Sequence, residues 1–400
     1  MASHSILTVD RSKKRKRSWR PWSDLPEDLL RPVVERLSAV DRIRFRAVCK
    51  DWLVSPIHND IPKLPWILYY CFSPLHTICS FFEPCRKLPY IEEEKREWGD
   101  ERGWITAGSL LCCAIACASR CGWVLFSERT RRLIDSTLYL VYQHYVYHPI
   151  AKDIISLPGL ELRQHNHLLE SMATFSSNPT SPDCVFVAPT VCDWGPYFFI
   201  STYSIGDTKW KTHNAHPHPY FFTLHAMAYM EGSVYCYNLN KGLSSFHIAT
   251  QEWKLLSNES PSNNYWEFFK MKFYFVAYSG HLHLVFLGRS RVDEVPLCNI
   301  FRYNWLDGAW KKMESLDGGA MFLGKPSFGI SAEEQTKMVA NRVYYLCPHT
   351  STPKFLVYGS AATGDKSEFS GNEIYCESWP MSWSQSRSCI WMEPPPSFQC

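Results

Sequence analysis

Tyr203-Ser-Ile-Gly-Asp-Thr-Lys-Trp210-Lys211 is an aromatic residue, a turn, and then a tryptophan–lysine pair. The same order returns as Phe246-His-Ile-Ala-Thr-Gln-Glu-Trp253-Lys254 and as Tyr303-Asn-Trp-Leu-Asp-Gly-Ala-Trp310-Lys311. A weaker copy runs from Tyr147 to Ile155 and ends in Leu157-Pro158. Between the copies stands a second element, a turn that leads into an alternating strand: Glu231-Gly232 before Tyr237, Ser279-Gly280 before Phe286, and Asn341 before Leu346. The aligned tryptophans lie 43 (210 to 253) and 57 (253 to 310) residues apart. One four-stranded propeller blade with variable loops has a period of roughly 40–50 residues. Residues 65–393 are therefore expected to form a β-propeller of six or seven blades. A β-sandwich array would leave the repeated hairpin without a reason.

The composition agrees with a mainly β chain. Aromatic residues make up 15% of the 400, and aromatic-rich sequence punctuated by Gly and Pro favours strands. The net charge of +3 conceals a division. Residues 1–20 carry seven cations against Asp10, which leaves the remainder slightly acidic. An extended nucleic-acid-binding face is not indicated by that balance. The tail 1–20 has little to bury and is expected to be disordered, as an extended tail is at 394–400, which contains Pro394-Pro395-Pro396.

Residues 22 to about 60 have a different period. Leu25, Leu29, Leu30, Val33, Val34 and Leu37 form one apolar stripe at helical spacing. Pro26 suits the first helical position, and Glu27 and Asp28 complement the positive helix end. Ser38 with Asp41 comes close to a capping box for a second helix. That helix is expected to bury Val40, Ile43, Ala47 and Val48 and to turn Arg42, Arg44 and Arg46 outward, with Cys49 and Trp52 on a short third turn. Pro32 falls inside the first helix and removes its bond to the Asp28 carbonyl, so a kink or a separate first turn is expected.

The stretch Trp22 to Trp52 closely resembles an F-box. Its Leu25-Pro26 start, the Arg36-Leu37 close of helix one and the Arg46-Ala-Val-Cys-Lys-Asp-Trp52 finish match in order and spacing. The whole chain resembles plant F-box proteins with a C-terminal kelch-like domain, and Glu377-Ser-Trp-Pro-Met-Ser-Trp383 resembles the final strand region of that family. The resemblance implies a three-helix F-box at 21–62 followed by a kelch-like propeller at 65–393. It implies a non-catalytic receptor in an SCF-type ubiquitin ligase, bound to a Skp-type adaptor and through it to a cullin, with the propeller holding an unknown target protein. Carried over by motif position, Leu25, Pro26, Leu29, Leu30, Val34, Leu37, Ile43, Val48, Cys49 and Trp52 lie at or just beneath the adaptor interface.

Other motifs weigh less. Lys13, Lys14, Arg15, Lys16 and Arg17 read as a nuclear-import signal, which places the protein in the nucleus, the cytoplasm or both. Nothing at the N-terminus reads as a secretory signal, so the 16 cysteines are expected to be reduced. Cys112, Cys113, Cys117 and Cys121 cluster without the knuckle spacing of a structural zinc site. Gly359 to Ser367 approaches a phosphate-binding loop, but Asp365 puts a carboxylate where phosphate oxygens belong. His213, His216 and His218 read as surface histidines on a loop, and the loop around Asp193-Trp194-Gly195-Pro196 as a candidate target contact. The apolar run Ile105–Phe126 contains Arg120 and a Ser119-Arg120-Cys121-Gly122 turn, which argues for two strands and a turn rather than a membrane span. No metal, cofactor or catalytic residue is expected.

Overall fold

The structure, a computed structural model, describes residues 25–37, 39–54, 65–72, 76–83, 88–95, 114–134, 137–149, 151–163, 166–169, 172–192, 198–215, 224–240, 242–261, 272–289, 296–331, 340–347, 354–360, 369–375 and 388–393. The chain divides into two units, Met1–Ile61 and Pro62–Cys400.

The first unit has three helices: α1 (Glu27–Arg36), α2 (Ala39–Arg46) and α3 (Lys50–Val54). Pro26 is the N-cap of α1 rather than its first residue, with extended backbone (φ −57°, ψ 147°). Its carbonyl accepts hydrogen bonds from the N–H groups of Leu29 and Leu30 at 3.0 and 3.2 Å. Pro32 neither ends α1 nor splits off its first turn, and the helix runs through it. One N–H is missing there, but the exposed ring needs no space in a core.

The described residues of the second unit form five β-sheets arranged as propeller blades. The first is a meander of Trp66–Phe72, His76–Glu83 and Leu88–Lys95, with the late strand Ser388–Met392 paired to the free edge of Trp66–Phe72. The second joins Ile115–Arg120, Trp123–Ile134, Thr137–His148 and Asp153–Ser156, with Leu160–Arg163 also pairing to Thr137–His148. In the third, Thr174–Phe175, Val185–Cys192, Phe198–Ser204 and Lys211–Ala215 follow one another, and Asn166–Leu168 pairs to Val185–Cys192. The fourth is a plain meander from Ala226–Met230 through Ser233–Asn238 and Gly242–His247 to Glu252–Ser257.

The fifth sheet has nine strands. Its meander Lys272–Tyr278, His281–Arg289, Pro296–Asn304 and Ala309–Met313 is joined to Phe369–Tyr375 through the pairs Leu297↔Ser370 and Cys298↔Phe369. Lys354–Ser360, Arg342–Cys347, Ala320–Leu323 and Phe328–Ile330 continue it outward. Among the described residues five blades thus stand where the spacing of the repeats predicts six or seven. The physical reason is edge pairing: strands that chain length assigns to a further blade hydrogen-bond to the fifth sheet instead.

Two turn types explain why the sequence forms these hairpins. Cys121-Gly122, Glu231-Gly232 and Ser279-Gly280 each have two consecutive positive φ values (53° and 81°, 49° and 76°, 51° and 70°). That is the type I′ turn, whose twist suits a two-residue hairpin. It holds the registers Arg120↔Trp123, Met230↔Ser233 and Tyr278↔His281. The apolar run at 105–126 accordingly becomes two strands and a turn in its described part. None of the described helices is long and apolar enough to cross a membrane.

The aromatic–turn–tryptophan copies use longer loops. Lys152, Gln251 and Gly308 sit at positive φ (61°, 58° and 64°). Each donates its N–H back to the strand end, to the carbonyls of His148, His247 and Asn304 at 2.8, 2.8 and 2.9 Å. The register then sets Phe246 opposite Trp253 and Tyr303 opposite Trp310, with ring centroids 5.1 and 5.3 Å apart. Tyr203 and Trp210 meet in the same way at 5.6 Å. In the weaker copy Ile154 takes the tryptophan's place opposite Tyr147.

The core lies between successive sheets. Trp123, Leu125 and Tyr142 of the second pack on Phe175, Phe186 and Tyr203 of the third. Val187 and Ile200 of the third meet Val234, Cys236 and Phe246 of the fourth. Tyr237 and Leu243 of the fourth meet Phe275, Leu284 and Phe286 of the fifth. Trp391, fully buried, packs with Ile67 against Phe322 and Tyr344 of the fifth and donates its indole N–H to the Leu323 carbonyl at 3.0 Å.

Two outcomes follow from this packing. Gly242 has φ +84°, and a Cβ there would stand 2.0 Å from the Ser257 carbonyl oxygen, a backbone atom that cannot step aside. Gly242→Ala is expected to lower stability by about 3 kcal/mol, whereas Gly206→Ala, with nothing within 4 Å, loses only about 1 kcal/mol; denaturant midpoints measure both. His144 is fully buried beside Trp210. Burial pushes its pKa down from 6.5 to about 4, and the Tyr142 carbonyl offsets only part of this. Between those values the unfolded chain binds the proton and the folded one does not. Stability therefore falls as pH drops from about 6.5 to about 4, by about 3 kcal/mol in total. His144→Phe is expected to remove that part of the acid limb, leaving the part due to other buried histidines such as His283, in denaturation curves recorded across pH.

Candidate functional site

The helical unit separates its apolar residues into two rows. Leu30, Val34, Phe45 and Trp52 are buried and form its core, with Leu25, Leu37 and Cys49 packed against them. Phe45 and Trp52 stack at 4.1 Å with their planes 13° apart. Leu29 and Val33, one helical turn apart on α1, are 59% and 47% exposed, and Val48 is 61% exposed. Pro26 is exposed at the head of α1. The residues named from the motif thus divide: Leu30, Val34 and Trp52 hold the three helices together, whereas Pro26, Leu29 and Val48 face outward. The side chain of Ile43 lies outside the described residues.

Helix α2 corrects the expected burial pattern. Arg42 (5% exposed) and Phe45 are buried, while Ala47 and Val48 are exposed. The helical period stops at Arg46, and tight turns follow in which Ala47 and Val48 donate to the Arg44 and Phe45 carbonyls at 3.0 and 3.2 Å. Residues past the helix end no longer follow its face. Sequence reasoning left Val33 and Phe45 off the site. Val33 follows Leu29 by four residues and Phe45 precedes Trp52 by seven, spacings that could have found both. Ser38, the basic run Lys13–Arg17, the Asp193–Pro196 loop, residues 361–368, Cys112, Cys113, His216 and His218 lie outside the described residues.

In the propeller unit, the innermost strands of the second to fifth sheets converge on a central cavity of about 220 Å3. Its polar groups include Ser119, Arg120, His225, Lys325 and Glu393. Arg120 donates to the Ser176 carbonyl at 2.7 Å and lies 6.0 Å over the Tyr229 ring, which holds it against the wall. Cys121 beside it has its pKa pushed up to about 11 by burial and then by Glu393, so its thiol stays protonated at neutral pH. Cys117 is buried. Among the described residues no three His, Cys, Asp or Glu groups are arranged to hold a metal ion. His213 is not a bare surface group, since its Nε2 lies 2.9 Å from Thr202 Oγ1. The cavity offers hydrogen-bonding groups for binding.

A helical unit with an outward apolar row, on the same chain as a propeller, defines the class of F-box proteins with a propeller, and comparison with known proteins agrees. Residues 22–53 match the F-box domain, and residues 106–384 match the KIB1-4 beta-propeller. The chain belongs to the KIB1-4 beta-propeller family. It is 25% identical to F-box protein At1g49360 of Arabidopsis thaliana, over 93% of this chain and 73% of the relative. It is 26% identical to F-box protein At4g00893 of the same plant, over 81% and 76%. It is 21% identical to the Arabidopsis F-box/kelch-repeat protein KIB1, over 88% and 83%.

The two rows are expected to respond differently to truncation. Trp52→Ala removes a stacked core ring and is expected to cost the helical unit about 3–5 kcal/mol. Leu29→Ala, on the exposed row, is expected to stay within about 0.5 kcal/mol. Amide hydrogen exchange over residues 27–54 measures both.

Proposed function

We propose that this protein is a non-catalytic substrate receptor of an SCF-type ubiquitin ligase. The F-box binds a Skp-type adaptor that connects to a cullin, and the propeller holds a target protein for ubiquitination. The observation that carries this reading is the exposed apolar set Leu29, Val33 and Val48 on a helical unit whose described core is only Leu30, Val34, Phe45 and Trp52. A unit of that size has too little interior to be stable alone, and exposed apolar groups on it call for a partner. The function so read is proximity: the chain supplies effective concentration and orientation, and reactive groups come from the machinery it joins. The basic run Lys13–Arg17 adds entry to the nucleus to the same reading.

Co-purification with a Skp-type adaptor tests it. Wild type is expected to capture the adaptor, and the double variant Leu29→Arg, Val33→Arg is expected to lose it by at least roughly tenfold, since two charges replace buried apolar contacts. Unchanged amide hydrogen exchange over residues 27–54, where the Leu30, Val34, Phe45 and Trp52 core lies, serves as the folding control. Failure of the wild-type chain to capture any such adaptor would end the proposal. Adaptor-dependent ubiquitination of a bound partner separates a receptor from an adaptor-bound regulatory scaffold.

A further inference from the structure

A second cavity, of about 560 Å3, opens beside the Ser279-Gly280 turn of the fifth sheet. Its wall carries His281, His283 and Arg302, with Asp317 at its rim and Tyr278 behind. The Tyr278 ring is fixed in a slot cut by two glycines: a Cβ on Gly319 or Gly329 would fall 1.8 or 2.5 Å from it. It lies 5.3 Å from the His283 ring. The wall is therefore preformed.

The cavity is polar and incompletely satisfied. His283 is 1% exposed, and the Nδ1 atoms of both His281 and His283 are buried without a well-formed hydrogen bond. Burial, then His281 and Arg302, push the His283 pKa down to about 3; the Val276 and His281 carbonyls recover only part of this. The imidazole therefore stays neutral at pH 7. A buried ring nitrogen left unanswered is destabilising, so the site favours a ligand that answers it.

An oxyanion accepts from the Arg302 guanidinium and from His281 in its Nδ1–H tautomer, while His283 keeps its N–H on the backbone carbonyls behind it. One oxyanion already stands there. Arg302 Nη1 donates to Asp317 Oδ2 at 3.1 Å, and the Asp317 side chain is 71% exposed, so it can swing away. Beside the cavity is an apolar knob. Trp305, three residues after Arg302, donates its indole N–H to the Gly280 carbonyl at 3.4 Å, immediately before His281. Trp305 and Leu306 are 41% and 95% exposed.

We propose that the His281–His283–Arg302 cavity receives an oxyanion, a carboxylate or a phosphate, carried on a protein segment whose adjacent apolar residue packs on Trp305 and Leu306. Asp317 is the internal group that this ligand displaces. The inference deepens the receptor reading above, since it names the chemistry of the target segment.

Fluorescence anisotropy with the full-length protein tests it. The probes are three labelled peptides of the same leucine-containing sequence with Glu, phosphoserine or Gln at one position, with inorganic phosphate as competitor. The Glu or phosphoserine peptide is expected to bind at least roughly tenfold more tightly than the Gln peptide, the difference made by one charge-assisted contact. Their relative strength tells carboxylate from phosphate. Arg302→Gln is expected to erase the difference. Asp317→Asn removes the competing carboxylate, suits the positive φ of that position (52°), and is expected to tighten binding. Leu306→Ser is expected to weaken the peptides and leave phosphate competition unchanged. Equal binding of all three peptides, or no effect of either Arg302→Gln or Asp317→Asn, overturns the proposal. Binding of inorganic phosphate alone overturns its peptide part. Adaptor capture by the same samples reads the F-box separately, so loss of one activity is not mistaken for loss of the other.

Discussion

The propeller depends on tryptophans that reach backwards. Trp210 of the third sheet donates its indole N–H to the Pro158 carbonyl of the preceding segment at 2.7 Å and lies against His144 of the second sheet. Trp253 of the fourth sheet meets Phe198 of the third at 5.9 Å. Trp310 of the fifth meets Tyr237 of the fourth at the same separation. Each ring is anchored in its own blade by the aromatic residue opposite it and spends its other face on the blade before. A blade alone is a twisted meander with two open faces, and edge-on or tilted aromatic packing between blades helps to close them.

That interaction explains what was legible in the sequence. The seven-residue interval from Tyr203 to Trp210, Phe246 to Trp253 and Tyr303 to Trp310 is set by a loop length and a register, both local, so one reading finds all three. The X-Gly turns are local for the same reason. Blade number was not legible, because Leu297↔Ser370 pairs residues more than seventy positions apart. Nothing local at Leu297 announces that its strand edge will accept Phe369–Tyr375 rather than remain free. The cavity beside Ser279-Gly280 was equally hidden. His281 and His283 alternate along a strand like any others, and only the fold brings Arg302 and Asp317 to them.

The helical unit shows the converse. Its three helices were readable from periodicity, and the motif fixed their order. The side each residue takes was readable in α1 only as one broad stripe, which the structure splits into a core row and an outward row. In α2 the reading failed at Val48 because the helix ends two residues earlier, and helix ends are where a periodic argument loses its footing. Binding and folding are coupled in such a unit: whatever covers Leu29, Val33 and Val48 also stabilises the four-residue core beneath.

The pairing of Ser388–Met392 with Trp66–Phe72 has a consequence for how the chain is made. Ile67 waits for Trp391, and Gly122 for the carbonyl of Glu393, to which it donates at 3.1 Å. During synthesis the first sheet therefore keeps one strand edge open until residues 388–392 have been made. An open edge is a template for unwanted pairing, and slow, long-range closure prolongs the exposure. A chain cut short before residue 388 would lack the strand that covers this edge and the ring that fills the slot beside Leu323, so one late strand closes both a sheet edge and a piece of core.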